Sequence, residues 1–153
     1  MGNLADITLR AIDVLKRVDA IAAEDTRITG RLLKHYGIGA PLIALHEHNE
    51  RRAARKILEL LARGDSVALV SDAGTPAISD PGAIAVAMVR DAGYPVVPVP
   101  GANAAACALS AAGSAARHFL FYGFLPAQAA ARRRELTGLK ALPYLLVFYE
   151  APH

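Results

Sequence analysis

The sequence predicts an α/β fold with a mostly parallel, doubly wound sheet, followed by the start of a second α/β domain. Apolar residues at helical spacing alternate along the chain with short apolar runs. These runs show no polar–apolar alternation, as expected of strands that are buried on both faces of a parallel sheet. Hydrophobic residues make up 54% of the 153 residues and charged residues 20%. That composition supports a sizeable apolar core and excludes a disordered chain.

The first hundred residues alternate regularly between predicted helices and strands. Each helix has apolar residues three or four positions apart, and most also have a polar residue that can cap the start or a glycine that ends the helix. The predicted elements are, in order, a helix with its apolar stripe over 7–18, a strand at Ala20–Ala23, a helix that Thr26 caps and Gly37 ends, a strand at Leu42–Leu45, a helix that Asn49 caps and Gly64 ends, a strand at Ser66–Val70, a helix over 82–91 that Gly93 ends, and a strand at Val96–Val99.

The same pattern divides the chain into two domains, residues 1–115 and 116–153. A helix of small residues ends at Gly113, which places the boundary near 112–118. After it, Phe119–Phe124, an Arg-rich helix around 129–136 and Leu145–Tyr149 begin a second unit. In a doubly wound sheet the Gly2-Asn3 turn should follow a strand, which this sequence does not contain. We therefore expect an internal piece of a two-domain protein, truncated at both ends.

Composition and charge exclude several classes of protein. A single cysteine excludes an intramolecular disulfide framework and a cysteine-rich zinc module. Seventeen Lys and Arg against fourteen Asp and Glu give a net charge of +3, which allows a polyanionic partner without requiring one. The longest uncharged stretch, Ala92–Ala116, contains Pro95, Pro98 and Pro100, which argue against a continuous membrane-spanning helix. With no cleavable signal in view, we expect a soluble cytoplasmic protein.

The turns that follow the predicted strands are rich in polar and small residues. In a parallel sheet these turns all emerge at the carboxyl ends of the strands, where open α/β sheets bind ligands. The turns at the opposite edge, Gly64-Asp65 and Gly93-Tyr94, are short and carry few polar groups. This asymmetry predicts a ligand site at the carboxyl edge. The turns on that edge are Glu24-Asp25-Thr26, His46-Glu47-His48-Asn49, Ser71–Pro76 and Pro100–Asn103, with Gly2-Asn3 in the equivalent place before the first helix.

The connection Ser71–Gly82 is the most informative of these segments. Its two glycines and two prolines predict a shaped loop, and Gly74 allows backbone groups to approach a ligand closely. Asp72 and Asp80 are able to accept hydrogen bonds from ligand hydroxyls. The same aspartates are equally suited to organising turns or capping the next helix. Residue types alone leave both interpretations open.

Other candidate sites are weaker. His46 and His48 have no further His or Cys at ligand spacing, so we predict no metal site. The turn Pro100–Asn103 lacks the GxGxxG pattern of nicotinamide-binding proteins. Cys107 is typical of a small core residue. The run Arg132-Arg133-Arg134 is either a solvated helix face or part of a phosphate-contacting surface.

Eight motifs stand along the chain in a characteristic order: Gly2–Thr8, Ala23–Arg27, His46–Glu50, Leu69–Pro76, Ser79–Gly82, Val99–Gly101, Phe124–Pro126 and Phe148–His153. In this order and spacing they resemble the RsmI family of 16S rRNA (cytidine 2′-O)-methyltransferases. That family belongs to the wider tetrapyrrole methylase-type class of S-adenosylmethionine (SAM) enzymes. The resemblance spans essentially the whole chain. The family's first strand before Gly2 and the rest of its second domain after His153 are the parts without a match.

The resemblance implies two α/β domains with SAM held in the cleft between them, usually in a homodimer. It implies transfer of the methyl group to the ribose 2′-oxygen of a cytidine in the decoding region of 16S rRNA, within the small ribosomal subunit. Carried onto this chain, the resemblance places the cofactor against Gly2, Asn3, Asp72, Ala73, Gly74, Thr75, Pro76, Ser79, Pro100 and Gly101, with Phe124, Leu125 and Pro126 as the far wall.

A ribose hydroxyl is a poor nucleophile, so an acceptor for its proton would assist methyl transfer. The candidates are Glu24, Asp25, His46 and Asp72, and the sequence does not rank them. Glu24 and Asp25 are equally suited to binding the hydroxyl or positioning Arg27. For contact with RNA phosphates the candidates are Arg27, Arg51, Arg52, Arg132, Arg133 and Arg134.

Two alternatives remain at this point. The first keeps the fold and cofactor but methylates a carbon of a tetrapyrrole or precorrin. The second is a non-catalytic remnant that retains a surface for RNA or another partner. The motifs His46–Glu50 and Phe148–His153 favour the RNA enzyme, because by resemblance they belong to that branch of the class.

Overall fold

The computed structural model describes residues 3–150 of the chain. The chain forms two compact units, which divide between Ala102 and Asn103. This division assigns the helix of small residues to the second unit, whereas the sequence pattern places that helix at the end of the first domain. The domain boundary near 112–118 therefore stays a prediction. Within residues 3–150, every helix is too short or too polar to cross a membrane.

The first unit is a parallel three-stranded sheet with helices on both faces. The strand order is β2-β1-β3, and both pairs of neighbours are parallel. This arrangement confirms the predicted α/β class and its parallel sheet. The elements are a 3-10 turn at Leu4–Asp6, α1 (Leu9–Arg17), β1 (Ala20–Ala23), α2 (Thr26–His35), β2 (Leu42–Ala44), α3 (Glu50–Ala62), β3 (Val67–Val70) and α4 (Ala83–Asp91).

The central strand β1 is buried on both faces of the sheet, and none of its four residues is more than 3% exposed. Ala20 and Ala22 belong to the core that α3 and α4 cover. Ile21 belongs to the opposite core, with Leu15 of α1 and Leu33 of α2. Successive residues of a strand point to opposite faces, so this split shows that helices cover both sides of the sheet.

The prediction of a strand at Val96–Val99 is wrong, because this segment has no regular secondary structure. In residues 3–150 the sheet ends at β3, whose second edge pairs with no strand. A strand needs a backbone partner, and the three prolines between positions 95 and 100 remove N–H donors. Side chains bind the free carbonyls instead. Arg10 Nη2 donates to Pro98 O at 2.7 Å, and Thr8 Oγ1 donates to Pro100 O at 3.3 Å.

The predicted starts of α2 and α3 need correction. Asp25 caps α2, with Oδ1 accepting a backbone N–H of the first turn at 2.8 Å, and Thr26 is the first helical residue. Asn49 occupies the N-cap position of α3 but makes no capping hydrogen bond. Its side chain accepts from His46 N at 2.9 Å and donates to Ala44 O at 3.1 Å, so it closes the turn after β2.

The second unit contains two parallel strands and two helices: α5 (Ala104–Ala111), β4 (Phe119–Phe124), α6 (Ala129–Leu139) and β5 (Leu145–Tyr149). Both strands lie where the sequence pattern predicts them. Asn103 caps α5, and its Oδ1 accepts from Ala106 N at 2.9 Å. The rings of Phe121 and Tyr149 pack edge to face across the strand pair, 4.8 Å apart. Tyr122 donates a hydrogen bond from its hydroxyl to Glu135 of α6, which ties this helix to β4.

Candidate functional site

The first unit contains an apolar cleft of about 460 Å³ at the carboxyl end of β3. Ala68, Leu69 and Val70 of β3 form one wall. Ala68 and Val70 pack with the core on the α1 side, and Leu69 packs with the core on the α3 side. The cleft therefore meets β3 along its unpaired edge. The other lining residues lie in the segment Asn3–Leu15, in α2, in the loop Ser71–Pro76 and in the segment Val99–Ala102.

Most of the residues that the resemblance assigns to the cofactor line this cleft. They are Asn3, Asp72, Ala73, Gly74, Thr75, Pro76, Pro100 and Gly101. Ser79 lies further along the same loop, outside the lining. Gly2 lies outside the described residues. Phe124 ends β4 in the second unit, and Leu125 and Pro126 follow it. The structure thus brings together three segments of the first unit that are distant in sequence.

Hydrogen bonds hold these segments around the cleft. Thr8 is the N-cap of α1, and its Oγ1 accepts from Ala11 N at 3.2 Å while donating to Pro100 O. Thr75 Oγ1 donates to Ala102 O at 3.5 Å, which joins the loop after β3 to the same segment. The sequence pattern does not single out Thr8 or Arg10 for a role at the site. The signal that could have pointed to them is the cluster of prolines at 95–100. Carbonyl groups in such a segment have no strand partner and need hydrogen-bond donors from side chains elsewhere.

The loop Ser71–Gly82 has a strained backbone. Ala77 and Ser79 have φ angles of +66° and +62°, a region that costs a non-glycine residue about 1–3 kcal/mol. Gly74 has a φ of +82°, which explains the need for glycine there. Two backbone hydrogen bonds brace the loop internally, from Ala77 N to Pro81 O and from Ile78 N to Thr75 O, both at 3.3 Å. Such a conformation persists only where the surroundings fix it.

The end of this loop is held by Glu50, the first residue of α3. Glu50 is 7% exposed, and its Oε1 accepts from the backbone N–H groups of Gly82, Ile84 and Ala85 at 2.9, 2.7 and 3.1 Å. These are groups at the start of α4 that have no partner within the helix. The capping role considered for Asp72 and Asp80 is therefore wrong. The sequence shows Glu50 only as the last residue of the motif His46–Glu50 and assigns it no separate role, because an acidic residue in a first helical turn is usually exposed.

Carboxylates from the ends of β1 and β3 form an acidic cluster beside the cleft, consisting of Glu24, Asp25, Asp72 and Asp80. Asp72 Oδ1 accepts from Asp25 N at 3.0 Å, and Asp72 N donates to Glu24 Oε2 at 3.3 Å. Partial burial raises the pKa of Glu24, the hydrogen bond from Asp72 opposes this rise, and the charges of its acidic neighbours add to it. Burial likewise raises the pKa of Asp80, against a hydrogen bond with Ser71.

Asp25 behaves differently from its neighbours. Arg27 donates to it from Nε and Nη2, with the shortest of these contacts at 2.6 Å, and also from its backbone N–H. These hydrogen bonds hold the pKa of Asp25 far below its usual value, so Asp25 is a weaker base than an ordinary aspartate. The side chain of Arg27 is 85% exposed and its charge is paired with Asp25. Asp25 therefore pairs with Arg27, as one of its two expected roles requires.

His46 lies in the turn after β2 and does not line the cleft. Its ring contacts that of His48 edge to face, with the centroids 6.2 Å apart. Among residues 3–150, no group of three or more His, Cys, Asp or Glu side chains is arranged to bind a metal ion. Of the four catalytic candidates, the structure places Asp72 in the lining and Glu24 in hydrogen-bond contact with Asp72.

Five of the six arginines predicted to contact RNA lie on two helices, α3 and α6. Arg51 and Arg52 are exposed on α3, and no acidic side chain described by the structure forms an ion pair with either. Arg133 and Arg134 are exposed on α6. Arg132 differs, because its Nε donates to Pro126 O at 3.0 Å and its Nη2 lies 3.8 Å from Glu150 Oε1. Arg132 therefore fastens the turn after β4.

Comparison with known proteins identifies the family. Residues 1–153 match the sequence model of the tetrapyrrole (corrin/porphyrin) methylases. The chain belongs to this family. The match confirms the tetrapyrrole methylase class that the eight motifs indicate.

Three curated relatives are similar to this chain along the whole of the chain's length, and each is named ribosomal RNA small subunit methyltransferase I. The relative from Escherichia coli O157:H7 is 56% identical, that from Bacillus subtilis strain 168 is 54% identical, and that from Pseudomonas aeruginosa PAO1 is 53% identical. Each comparison covers 100% of this chain and 52–54% of the relative. The chain thus spans about half the length of the curated relatives that it matches.

A solved structure shows the same methylase fold. It is a protein of Corynebacterium diphtheriae described as related to cobalamin synthesis (CobF), with a TM-score of 0.52 and 22% sequence identity. The match covers 88% of this chain and 66% of the other. At this level of identity the likeness supports the fold alone, and it agrees with the parallel α/β architecture described above.

Proposed function

We propose that this chain forms part of a SAM-dependent methyltransferase that modifies the ribose 2′-oxygen of a cytidine in small-subunit rRNA. One observation carries the proposal: the loops that the resemblance assigns to the cofactor, although distant in sequence, line one cleft. The relatives named as ribosomal RNA small subunit methyltransferases, at 53–56% identity, support the choice of RNA. The activity would belong to a full-length polypeptide that contains this chain, hereafter the full-length protein.

The residues around the cleft suit SAM. A volume of about 460 Å³ lies within the range of roughly 300–1,000 Å³ that is typical of small-molecule sites. Gly74 and Gly101 leave room for backbone groups to contact a ligand directly. Asp72 is exposed in the lining and supplies a negative charge that attracts a sulfonium cation. Thr8 and Thr75 add hydroxyl groups to an otherwise mostly apolar surface.

SAM supplies a methyl group that its positive sulfur already activates. The protein's main task is then to hold the two reactants in line, which accounts for about 7–11 kcal/mol of the barrier in well-oriented reactions. The strained loop Ser71–Gly82 and the hydrogen bonds of Thr8 and Thr75 give the cleft a fixed shape before binding. This preorganisation favours positioning as the chief contribution of the first unit.

Glu24 and Asp72 are the better supported acceptors for the proton of the ribose hydroxyl. The raised pKa of Glu24 makes its carboxylate a stronger base than usual, and Asp72 lines the cleft itself. Asp25 is a poorer acceptor because its pKa is lowered by Arg27. A positioned base of this kind contributes about 10²–10⁴-fold to a rate.

For the RNA, the exposed arginines of α3 and α6 offer phosphate contacts. Recognition of a 2′-hydroxyl acts on exposed nucleotides or assembled RNA, so shape and phosphate contacts dominate binding. We further propose that the full-length protein is a homodimer, works in the cytoplasm on 16S rRNA or the small ribosomal subunit, and needs no metal.

The substitution Gly74→Val in the full-length protein tests the cleft. Valine at a φ of +82° strains the loop and places a branched side chain against the ligand, so SAM binding should weaken at least about tenfold while the protein stays folded. Gly64→Val is the matched control, because Gly64 has a similar φ of +88°, lies in the turn before β3 at the opposite edge, and has nothing within 4 Å of an added Cβ. Calorimetric titration with SAM measures both variants.

Equal affinity in the parent and Gly74→Val would contradict the proposed site. Methyl transfer from labelled SAM then identifies the substrate. Label on cytidine 2′-oxygens of small-subunit RNA supports the proposal, and label on a tetrapyrrole precursor supports the alternative C-methyltransferase. Tight RNA binding without transfer to either substrate would indicate a non-catalytic binding protein.

A further inference from the structure

Glu50 lies outside the cleft yet fixes one end of the loop that lines it. We propose that Glu50 is a positioning residue for cofactor binding, acting through the backbone N–H groups at the start of α4. The inference rests on the proposed function, since it concerns the same cleft. It adds a residue that belongs neither to the predicted cofactor site nor to the residues predicted to contact RNA.

The geometry at Glu50 is that of a helix cap supplied by another helix. Three backbone N–H groups, those of Gly82, Ile84 and Ala85, converge on one carboxylate oxygen at 2.7–3.1 Å. The N-cap residue of α4 is Gly82, which has no side chain with which to cap. An anionic acceptor at a helix N-terminus is favoured both by charge-assisted hydrogen bonds and by the helix dipole.

The loop joins regular structure at its two ends, and Glu50 fixes the second of them. One end continues from β3, and the other enters α4 at Gly82. Between them lie the lining residues Asp72–Pro76 and the strained residues Ala77 and Ser79. Without Glu50 Oε1, three N–H groups at the start of α4 would lose their partner. The strain in the loop would then be released by moving that end, and the shape of the lining would change.

A series of variants at position 50 in the full-length protein separates the effect of side-chain length from the effect of side-chain charge. Glu50→Gln keeps an acceptor oxygen at the same distance and removes the charge. Glu50→Asp keeps the charge and withdraws the oxygens by one methylene. Glu50→Ala removes both. Glu59→Ala is the control, because Glu59 is an exposed carboxylate on the same helix.

We expect SAM to bind at least about tenfold more weakly to Glu50→Asp and Glu50→Ala, since neither side chain places an acceptor oxygen within reach of the three N–H groups. Glu50→Gln should bind within about threefold of the parent, and Glu59→Ala should bind equally well. In turnover assays the KM for SAM should rise in Glu50→Asp while kcat at saturating SAM changes little, because bound SAM restores the loop. A residue that only stabilises α4 would lower the melting temperature without this KM effect.

Amide hydrogen exchange gives a readout that does not involve SAM. The amides of Ile84, Ala85 and the loop residues 72–79 should exchange faster in Glu50→Asp than in the parent, and Glu50→Gln should protect them. Unchanged loop exchange in a folded Glu50→Asp protein overturns the inference, as does SAM binding equal to the parent. Absence of SAM binding by the parent itself overturns the proposed function, and exchange alone then decides the role of Glu50. If Glu50→Ala does not fold, the comparison of Glu50→Gln with Glu50→Asp tests the inference.

Discussion

Gly82 joins the cleft loop to α4 under unusually tight constraints. Its φ is +129°, and a Cβ added there would lie 2.7 Å from Leu69 Cδ2 and 3.6 Å from Ala77 N. Leu69 belongs to β3 and lines the cleft. The substitution Gly82→Ala therefore imposes a strained backbone on the loop and also displaces a side chain of the cleft wall.

The expected loss of stability follows from these two effects. A non-glycine residue in a sparsely populated backbone region costs about 1–3 kcal/mol. Forcing a packed side chain aside costs about 1–3 kcal/mol, and the lower part of that range applies because Leu69 Cδ2 is the end of a flexible side chain. We expect Gly82→Ala to lower the free energy of unfolding by about 2–4 kcal/mol.

Urea denaturation of the full-length protein measures this loss. Gly64→Ala is the control, since it shares a positive φ of +88° and an added Cβ there meets nothing within 4 Å, so it should cost only about 1–2 kcal/mol. The double variant Gly82→Ala/Leu69→Ala should lose less than the two single variants together, because removing the Leu69 side chain relieves the contact. Equal losses in the two glycine variants, with no coupling to Leu69, would refute this reasoning.

Two further predictions concern charge. The raised pKa of Glu24 means that folding favours its protonated form, so its contribution to stability is full below its ordinary pKa of 4.5 and is lost as pH rises through the folded-state pKa. Urea titrations should therefore show Glu24→Gln gaining stability relative to the parent as pH rises above 4.5, and a difference that does not change with pH would count against this prediction. Arg132→Gln should lower thermal stability by freeing the turn at Pro126, whereas the double change Arg133→Gln/Arg134→Gln should leave stability within about 0.5 kcal/mol and weaken RNA binding. Each lost phosphate contact should make the salt dependence of RNA affinity shallower by about 0.7, and an unchanged slope would remove these arginines from the RNA surface.

The sheet could be predicted because its signals are local. The apolar runs at Ala20–Ala23 and Val67–Val70 carry the composition of strands buried on both faces, and the structure places them as parallel neighbours. Clustering of the polar turns at one edge follows from parallel strand direction, so the place of Asp72–Pro76 in the lining after β3 could also be predicted. Pro100-Gly101 also lines the cleft, but it follows no strand of the described sheet, so strand direction does not account for its place.

The remaining features depend on partners that a sequence does not display. Val96–Val99 has the composition of a strand, but strand formation requires a neighbouring backbone, and among residues 3–150 none pairs with it. Glu50 reads as an ordinary first-turn acid, and only the packing of α3 against α4 places it beneath the N–H groups of Gly82 and Ile84. Asp25 could not be told from Glu24 by residue type, since the difference comes from their surroundings: partial burial raises the pKa of Glu24, and hydrogen bonds from Arg27 lower the pKa of Asp25.

The outer edge of β3 has a consequence for handling the protein in solution. In the part of the chain described, Val67–Val70 offers backbone groups to no strand on that side, and bare strand edges recruit extended segments from other molecules. Because Ala68, Leu69 and Val70 also border the cleft, a small molecule bound there would cover part of this edge. A bound ligand would then also shield the unpaired edge of β3 from extended segments of other molecules.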